Sequence, residues 1–459
     1  MKESLEKISS DSRSSHDSNI FLSLFEQYLN EPSTVNWSKI KPLGKAYEIE
    51  YDNLRKYETN EDSAILKRLC VIKLNGGLGT TMGCNGPKSL IKVRDGMTFL
   101  DFAIKQNEVF NETHESCVPL ILMNSFSTDS AIREAINLRK SNIRQFMQSK
   151  CPRIYADTLA PLPKGADDPL DRWYPPGHGN IFQSMMFNGI LDELIGEGRD
   201  ICFISNIDNT GATIDLTIAK FMANSDVQYL MECTDKTAND SKGGTLVEIN
   251  HGIMHLEIPQ VPKENIEEFC SLRTFKIFNT NNIWVNLSSV KKCLPTMKME
   301  IIVNKKKLSS GENIIQLETS VGGAIRNFDR AYSIKVPRRR FLPVKKTQDL
   351  LAIMSDLYEI ADDFSLRLRS NRPIPHQPTI KLSSHFNMLA EFHCRFSSIP
   401  SLVDLTHMVV DGNVYFGSDI TLKGDIVIIA DDGEELTIPA RSFIENKLLR
   451  GRLKFKELN

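Results

Sequence analysis

Leu69-Cys70-Val71-Ile72-Lys73-Leu74, followed by Asn75-Gly76-Gly77-Leu78-Gly79 and, eight residues after Gly79, by Pro87-Lys88-Ser89, is the stretch on which the fold turns. The first six residues are short, apolar and partly β-branched, the pattern of a buried strand. Glycines at 76, 77, 79, 83 and 86 come next, so the strand delivers at its carboxyl end a loop whose backbone N–H groups are expected to lie open to phosphate. Nucleotides bind at such strand ends, and Lys88 adds a fixed positive charge. Two familiar glycine loops fail on spacing. Gly77, Gly79 and Gly83 put one residue too many before the third glycine of a dinucleotide fingerprint, and Pro87 separates Gly86 from Lys88, which a P-loop keeps adjacent. An ordinary glycine-rich turn is the competing reading.

Working outward, strand-like and helix-like runs alternate: Pro119 to Met123, a helix from about Thr128 to Met147, Asp200 to Ile204, then a helix from Ile214 to Met222. That alternation indicates an α/β domain with a parallel sheet. Upstream, residues 1–19 are rich in serine and charge without an apolar core segment, so they read as a mobile tail and not as a signal peptide or anchor. Ile20, Phe21, Leu24, Phe25 and Leu29 then repeat at helical spacing, giving an amphipathic helix that packs on the main domain. From Leu402 the period becomes six: Leu402, Met408, Val414, Ile420 and Ile426, with a second series at Val410, Phe416, Leu422 and Ile428. Stacked short rungs with an apolar interior need such a repeat, so a small parallel β-helix is expected, a plain β-meander being the alternative. Domain boundaries are placed accordingly at 1–60 (tail and helix), 61–372 (the α/β domain) and 373–459, with Arg372-Pro373-Ile374-Pro375 as the break.

At 459 residues and 41% apolar content, the chain is long enough for two or three cored domains. With 56 basic and 58 acidic side chains the net charge is −2, which gives no global field for nucleic acid or anionic membrane. No run of about 18 apolar residues offers a membrane span. The nine cysteines are odd in number, the nearest two being Cys70 and Cys84, so neither a disulfide framework nor a zinc site is indicated and a reducing cytoplasm fits.

Several groups could carry chemistry. His178 stands in Trp173-Tyr174-Pro175-Pro176-Gly177-His178-Gly179 at the entrance to a helix with Phe182, Met185, Met186 and Ile190 on its apolar positions; there it either meets an anion or closes a turn. Asp208, in Ser205-Asn206-Ile207-Asp208-Asn209 after the strand ending at Ile204, can hold Mg2+ together with substrate phosphates, or else it is an Asx turn or N-cap. Lys335, Arg338, Arg339, Arg340, Lys345 and Lys346 form a basic run broken by Phe341 to Val344, in which Lys345 is the candidate site lysine; Lys305-Lys306-Lys307 reads as a solvated loop face. Asn279 to Asn282 and Lys242 to Thr245 offer amides, hydroxyls and bare backbone suited to a polyhydroxylated ligand or to turns.

Taken together, Leu74 to Gly79, Gly86 to Ser89, Asn124-Ser125-Phe126, Trp173 to Gly179, Ser205 to Asn209, Lys242 to Thr245, Asn279 to Trp284 and Phe341 to Lys345 resemble the eukaryotic UDP-glucose pyrophosphorylases over about residues 70–450. The resemblance implies a Rossmann-like nucleotidyltransferase core with a mixed, mostly parallel sheet and a C-terminal left-handed parallel β-helix. It implies UTP, glucose 1-phosphate, UDP-glucose and pyrophosphate as ligands, Mg2+ as cofactor, and a homo-oligomer formed through the C-terminal domain. Carried over residue by residue, Leu74, Asn75, Gly76, Gly77 and Lys88 contact UTP, Gln148 reaches the uracil and Gly177 lies near the nucleotide. His178 and Asn206 meet the sugar phosphate, Asp208 resembles the metal ligand and Lys345 the second phosphate-binding, catalytic lysine beside Lys88. Gly244, Thr245, Asn282, Glu300 and Glu318 resemble the sugar pocket. Asn85, Ser127 and Asn180 depart from the common pattern without removing a catalytic group. A pyrophosphorylase for N-acetylhexosamine 1-phosphates and a non-catalytic nucleotide-sugar-binding protein remain as alternatives.

Overall fold

The computed structural model describes residues 1, 5, 12–32, 34–54, 62–139, 141, 143–165, 168–237, 240, 243–250 and 252–451. The chain divides into two compact units: Met1–Gly77, Asn111–Asn206 and Ile214–Arg338 make the first, and Leu78–Phe110, Ile207–Thr213 and Arg339–Asn459 the second.

In the first unit helix α1 (Ser12–Asn30) overlaps the expected tail. Phe21 and Phe25 are buried in one apolar cluster with Cys151, Ile154, Trp173, Tyr174, Ile315 and Leu317, whereas Leu29, expected on the same face, is 55% exposed. The main sheet takes β1 (Glu48–Glu50), β2 (Leu69–Asn75), β3 (Leu120–Asn124), β4 (Arg144–Met147), β5 (Ile201–Asn206), β6 (Tyr229–Asp235), β7 (Ile277–Asn286) and β8 (Ala331–Lys335) in the order β1-β8-β6-β7-β5-β2-β3-β4. Every neighbouring pair is parallel except the two made by β7. All seven residues of β2 are buried, as a strand covered on both faces requires. Cys70, Ile72 and Leu74 point into one cluster with Ile121, Met123, Cys202, Ile204 and Phe182; each such Leu or Ile contributes about 1.5–3 kcal/mol.

Two local readings are corrected. The helix anticipated from about 128 to 147 ends at Arg139, and 144–147 is β4, paired with β3 from Ile121↔Arg144 to Asn124↔Met147. Lys305 to Lys307 are exposed as expected, but as the end of a strand, Ile301–Lys307, and not in a loop.

In the second unit the parallel strands β9 (Thr379–Leu382), β10 (Leu405–Asp411), β12 (Thr421–Ile429) and β14 (Phe443–Arg450) form one sheet, and β11 (Asn413–Phe416) pairs in parallel with β13 (Glu435–Ile438). Met408 stands beside Ile426, three six-residue steps further on. Both apolar series read from the sequence are buried, in a single core shared with Met82, Ile91, Phe99, Phe102, Leu350 and Leu351.

Candidate active site

Parallel register sets the ends of four strands of the first unit in a row. Asn206 pairs with Leu74, Asn75 with Asn124, and Asn124 with Met147, so Leu74, Asn75 and Gln148 meet at one edge. A Cβ on Gly76 would overlap Nε2 of Gln148; only glycine lets the carboxamide lie across the loop. Oδ1 of Asn75 and Oε1 of Gln148 are buried there without a hydrogen-bond partner among the described residues, an arrangement that costs about 1–3 kcal/mol per group unless a ligand supplies the donor.

The antiparallel strand β7 brings a second set. Asn281 Nδ2 donates to Oδ1 of Asn206 at 2.9 Å. Asn282 Nδ2 donates to the buried Glu232 carboxylate at 3.0 Å, and Trp284 Nε1 to its other oxygen at 2.8 Å. Gly244 accepts from the Asn279 N–H at 3.0 Å, and the Thr245 hydroxyl donates to the Ile277 carbonyl at 2.7 Å. Lys242 lies outside the described residues.

Gly177 has φ +84°, and a Cβ there would overlap the Thr319 carbonyl and touch Cβ of Glu318, so Glu318 backs the loop that presents His178. The next residues make a short 3-10 turn, His178–Asn180, leading into the helix Ile181–Phe187, on which Phe182 and Met185 are buried but Met186 is 43% exposed. Nδ1 of His178 accepts the Val321 N–H at 3.1 Å. Burial, then the nearby His255, lower the His178 pKa to about 4, so near neutral pH the ring is uncharged and its proton sits on Nε2, a donor suited to a phosphate oxygen. Glu300 pairs with Arg326; burial raises its pKa, opposed by that arginine. It lines a cavity of about 270 Å³ beside Tyr28 and Asn36.

His255 is buried, its Nε2 lies 2.9 Å from the Asn279 amide nitrogen, and burial lowers its pKa to about 4. A ring that takes up a proton at about 6.5 when unfolded and only near 4 when folded contributes stability that is complete above pH 6.5 and is lost as the pH falls toward 4, at most about 3 kcal/mol. The urea midpoint is therefore expected to drop between pH 7 and pH 4.5, and to drop less in His255→Gln. Equal acid slopes in the two proteins would remove His255 as the cause.

In the second unit the glycine loop is more self-contained than the sequence suggested. Leu78 bridges Pro87, the Gly79 N–H donates to the Gly86 carbonyl at 3.2 Å and the Gly83 N–H to Thr80 at 3.1 Å. Those two amides build the loop's own turns, which corrects the expectation that all five glycine N–H groups lie open. The turn sets Lys88 at the start of Lys88–Leu90, where Nζ donates to Oδ2 of Asp208. Both side chains are largely buried, at 18% and 13% exposure. Asp208 is not the helix N-cap; Asp215 is, accepting from Thr217 and Ile218.

Asn209 fixes the segment that carries Asp208. Its Nδ2 donates to the Arg340 carbonyl at 3.2 Å, and its Oδ1 accepts from the Leu342 N–H at 2.8 Å. Lys345 follows directly, and Asp349 accepts the N–H groups of both Lys345 (2.8 Å) and Lys346 (2.9 Å). Burial raises the Asp349 pKa, while Lys346, Lys345 and Lys88 pull it down. Lys88, Asp208, Lys345 and Asp349 thus belong to one electrostatic cluster. The rest of the basic run disperses: Lys335 pairs with Asp235, Arg338 with Asp240, and Arg340 donates to the Thr213 carbonyl.

Among the described residues no three His, Cys, Asp or Glu side chains gather into a metal cage. One carboxylate beside a lysine fits a Mg2+ that takes most of its oxygens from nucleotide phosphates and water.

The family model described as UTP--glucose-1-phosphate uridylyltransferase matches residues 18–423. The chain belongs to this family. A uridylyltransferase of that name from Saccharomyces cerevisiae is 46% identical over 448 residues, covering 95% of this chain and 89% of its own. The one from Solanum tuberosum is 45% identical over 439 residues, covering 94% and 92%. Among solved structures, a mutant UDP-glucose pyrophosphorylase from Leishmania major in complex with UDP-glucose superposes with a TM-score of 0.87 at 32% identity, covering 95% of both chains.

Within this uridylyltransferase framework the sequence reading passed over Glu232, His255 and Asp349. A local signal existed for Asp349, an acidic residue in the first turn of a helix just after the candidate lysine. Glu232 and His255 have their partners on other strands, and no local pattern reveals them.

Proposed function

We propose that this chain transfers the uridylyl group of UTP to glucose 1-phosphate, releasing pyrophosphate and forming UDP-glucose, in a reversible reaction. A phosphate oxygen of the sugar phosphate forms a bond to the α-phosphorus of UTP; the bond to the bridging α–β oxygen breaks, and pyrophosphate leaves with the electron pair. The attacking phosphate is already ionised near neutral pH, its second pKa being about 6, so no general base is needed. The observation that carries the reading is the Lys88–Asp208 pair in one cluster with Lys345. Each lysine within about 4 Å of a phosphate charge contributes on the order of 4 kcal/mol at an effective dielectric of 20.

In the first unit, Gln148 and Asn75 carry buried oxygens without a partner among the described residues, which suit a base or ribose. Neutral His178 and Asn206 bind the sugar phosphate, and Gly244, Thr245, Asn282, Glu300 and Glu318 serve the sugar. Asp208 would hold Mg2+, which when bound neutralises phosphate charge and polarises the phosphoryl oxygens. No helix among the described residues is long and apolar enough to cross a membrane. A cytoplasmic enzyme is proposed, its nine cysteines all free. The parallel C-terminal strands are proposed to wind as a left-handed β-helix, supported by the three-rung step from Met408 to Ile426. A homo-oligomer through this domain is supported by Phe443 and Leu448, 64% and 67% exposed on β14.

The test is pyrophosphate release from UTP with a panel of sugar 1-phosphates. Glucose 1-phosphate is expected to give the highest kcat/KM; a preference for N-acetylglucosamine 1-phosphate would transfer the chain to the related pyrophosphorylases, and no release with any sugar would leave a binding protein.

A further inference from the structure

The first turn of α1 ends against the segment that follows β4. Arg13 Nη2 donates to the Met147 carbonyl at 3.1 Å and to the Gln148 carbonyl at 2.6 Å, and Nη1 approaches Oδ1 of Asn188 at 3.5 Å. The guanidinium is itself held in place. Its carbon lies 5.1 Å from the centroid of the Phe187 ring, whose face also stacks on His16 at 4.0 Å, and Asp17, one turn along the helix, sits 3.5 Å from Nε. Phe21 and Phe25 anchor the same helix in the core.

The other backbone groups of this segment are tied from the interior. The Gln148 N–H donates to the Asn124 carbonyl at 2.9 Å, the Ser149 N–H to Oδ1 of Asn180 at 2.8 Å, and Asn188 Nδ2 reaches the Met147 carbonyl at 3.1 Å. Arg13 therefore supplies the outer restraint on a peptide whose inner restraints come from the sheet. Beyond that peptide the Gln148 side chain lies across Gly76, with Oε1 buried and unpartnered. A carboxamide can select a base only if its own backbone cannot rotate or recede, and a planar guanidinium bridging two successive carbonyls removes that freedom.

We infer that Arg13 is a positioning residue for nucleotide recognition, which acts by clamping the Met147 and Gln148 carbonyls so that the Gln148 carboxamide is held where it meets the base. The inference rests on the reading above that Gln148 contacts uracil. It makes the first turn of α1, a stretch that reads as tail in the sequence, part of the specificity apparatus.

Steady-state kinetics on the full-length protein test this, with UTP and CTP as alternative substrates and glucose 1-phosphate saturating. Arg13→Ala is expected to raise KM for UTP about tenfold, equivalent to about 1.4 kcal/mol, with kcat and KM for glucose 1-phosphate little changed and the preference for UTP over CTP reduced. Arg13→Lys, which keeps the charge but lacks the Nη1 and Nε groups that fix the guanidinium against Asn188 and Asp17, is expected to recover only part of the preference, and it provides the measurement if the alanine variant melts early. A loss shared equally by UTP and CTP, or an unchanged KM for UTP, overturns the clamp. Gln148→Ala separates the clamp from its premise: if that variant keeps the UTP preference, the uracil reading fails; if it loses the preference while Arg13→Ala keeps it, the clamp alone fails.

Discussion

Lys345→Met is expected to lower turnover by about 10²-fold or more, the loss that follows from removing a cation worth ~3 kcal/mol in the transition state. The fold should survive, and the reason is local. What the structure uses to start the helix Thr347–Met354 is the backbone N–H of Lys345 and of Lys346, each bonded to the Asp349 carboxylate. Methionine keeps that N–H and most of the side-chain volume, and loses the ammonium group with its charge and donors. The burden should fall on kcat, because charge builds on the leaving pyrophosphate as the reaction proceeds and a fixed cation is worth more to that state than to bound UTP. Pyrophosphate release at saturating substrates, set beside a thermal melt, measures both halves. Wild-type turnover in a normally folded variant would take Lys345 out of the reaction.

The elements that frame the candidate site were legible in the sequence wherever a local pattern decides the structure. The run 69–74 announces β2 because a strand covered on both faces must be apolar throughout, and the six-residue step from Leu402 to Ile426 announces stacked parallel strands because each inward position recurs in the next rung. Gln148 was harder to place. Its position depends on β4, and Ile143 and Phe146 continue a spacing compatible with the preceding helix, so nothing local says that the chain turns at Arg139 and returns to the sheet. Partnerships across strands were not legible at all. The Glu232 carboxylate receives Asn282 and Trp284 only because β6 and β7 pair antiparallel with Glu232 opposite Asn282 and Leu230 opposite Trp284. The glycine loop misled in a third way: composition shows which amides are uncovered by side chains, but Gly79 and Gly83 spend theirs on turns whose closure depends on the Leu78–Pro87 bridge.

Asp208→Ala carries the other large effect, a fall in turnover of about 10³-fold or more, since a metal anchored beside reacting phosphates stabilises the transition state by several kcal/mol. Two consequences combine. Lys88 loses the carboxylate that orients its ammonium group, and the carboxylate proposed to hold Mg2+ is removed. Collapse of the segment is not the cause to expect, because Asn209, through Arg340 and Leu342, and Gln106, through the Thr210 carbonyl, hold 207–213 in place without Asp208. Calorimetry distinguishes the two losses apart from catalysis. Wild-type protein should bind UTP more tightly with Mg2+ than without it, whereas Asp208→Ala should lose that difference and, with Lys88 released from its partner, bind metal-free UTP at least as well as before. A variant that keeps the Mg2+-dependent gain in affinity would move the metal to another residue, and one that keeps full activity would leave Asp208 as nothing more than the partner of Lys88.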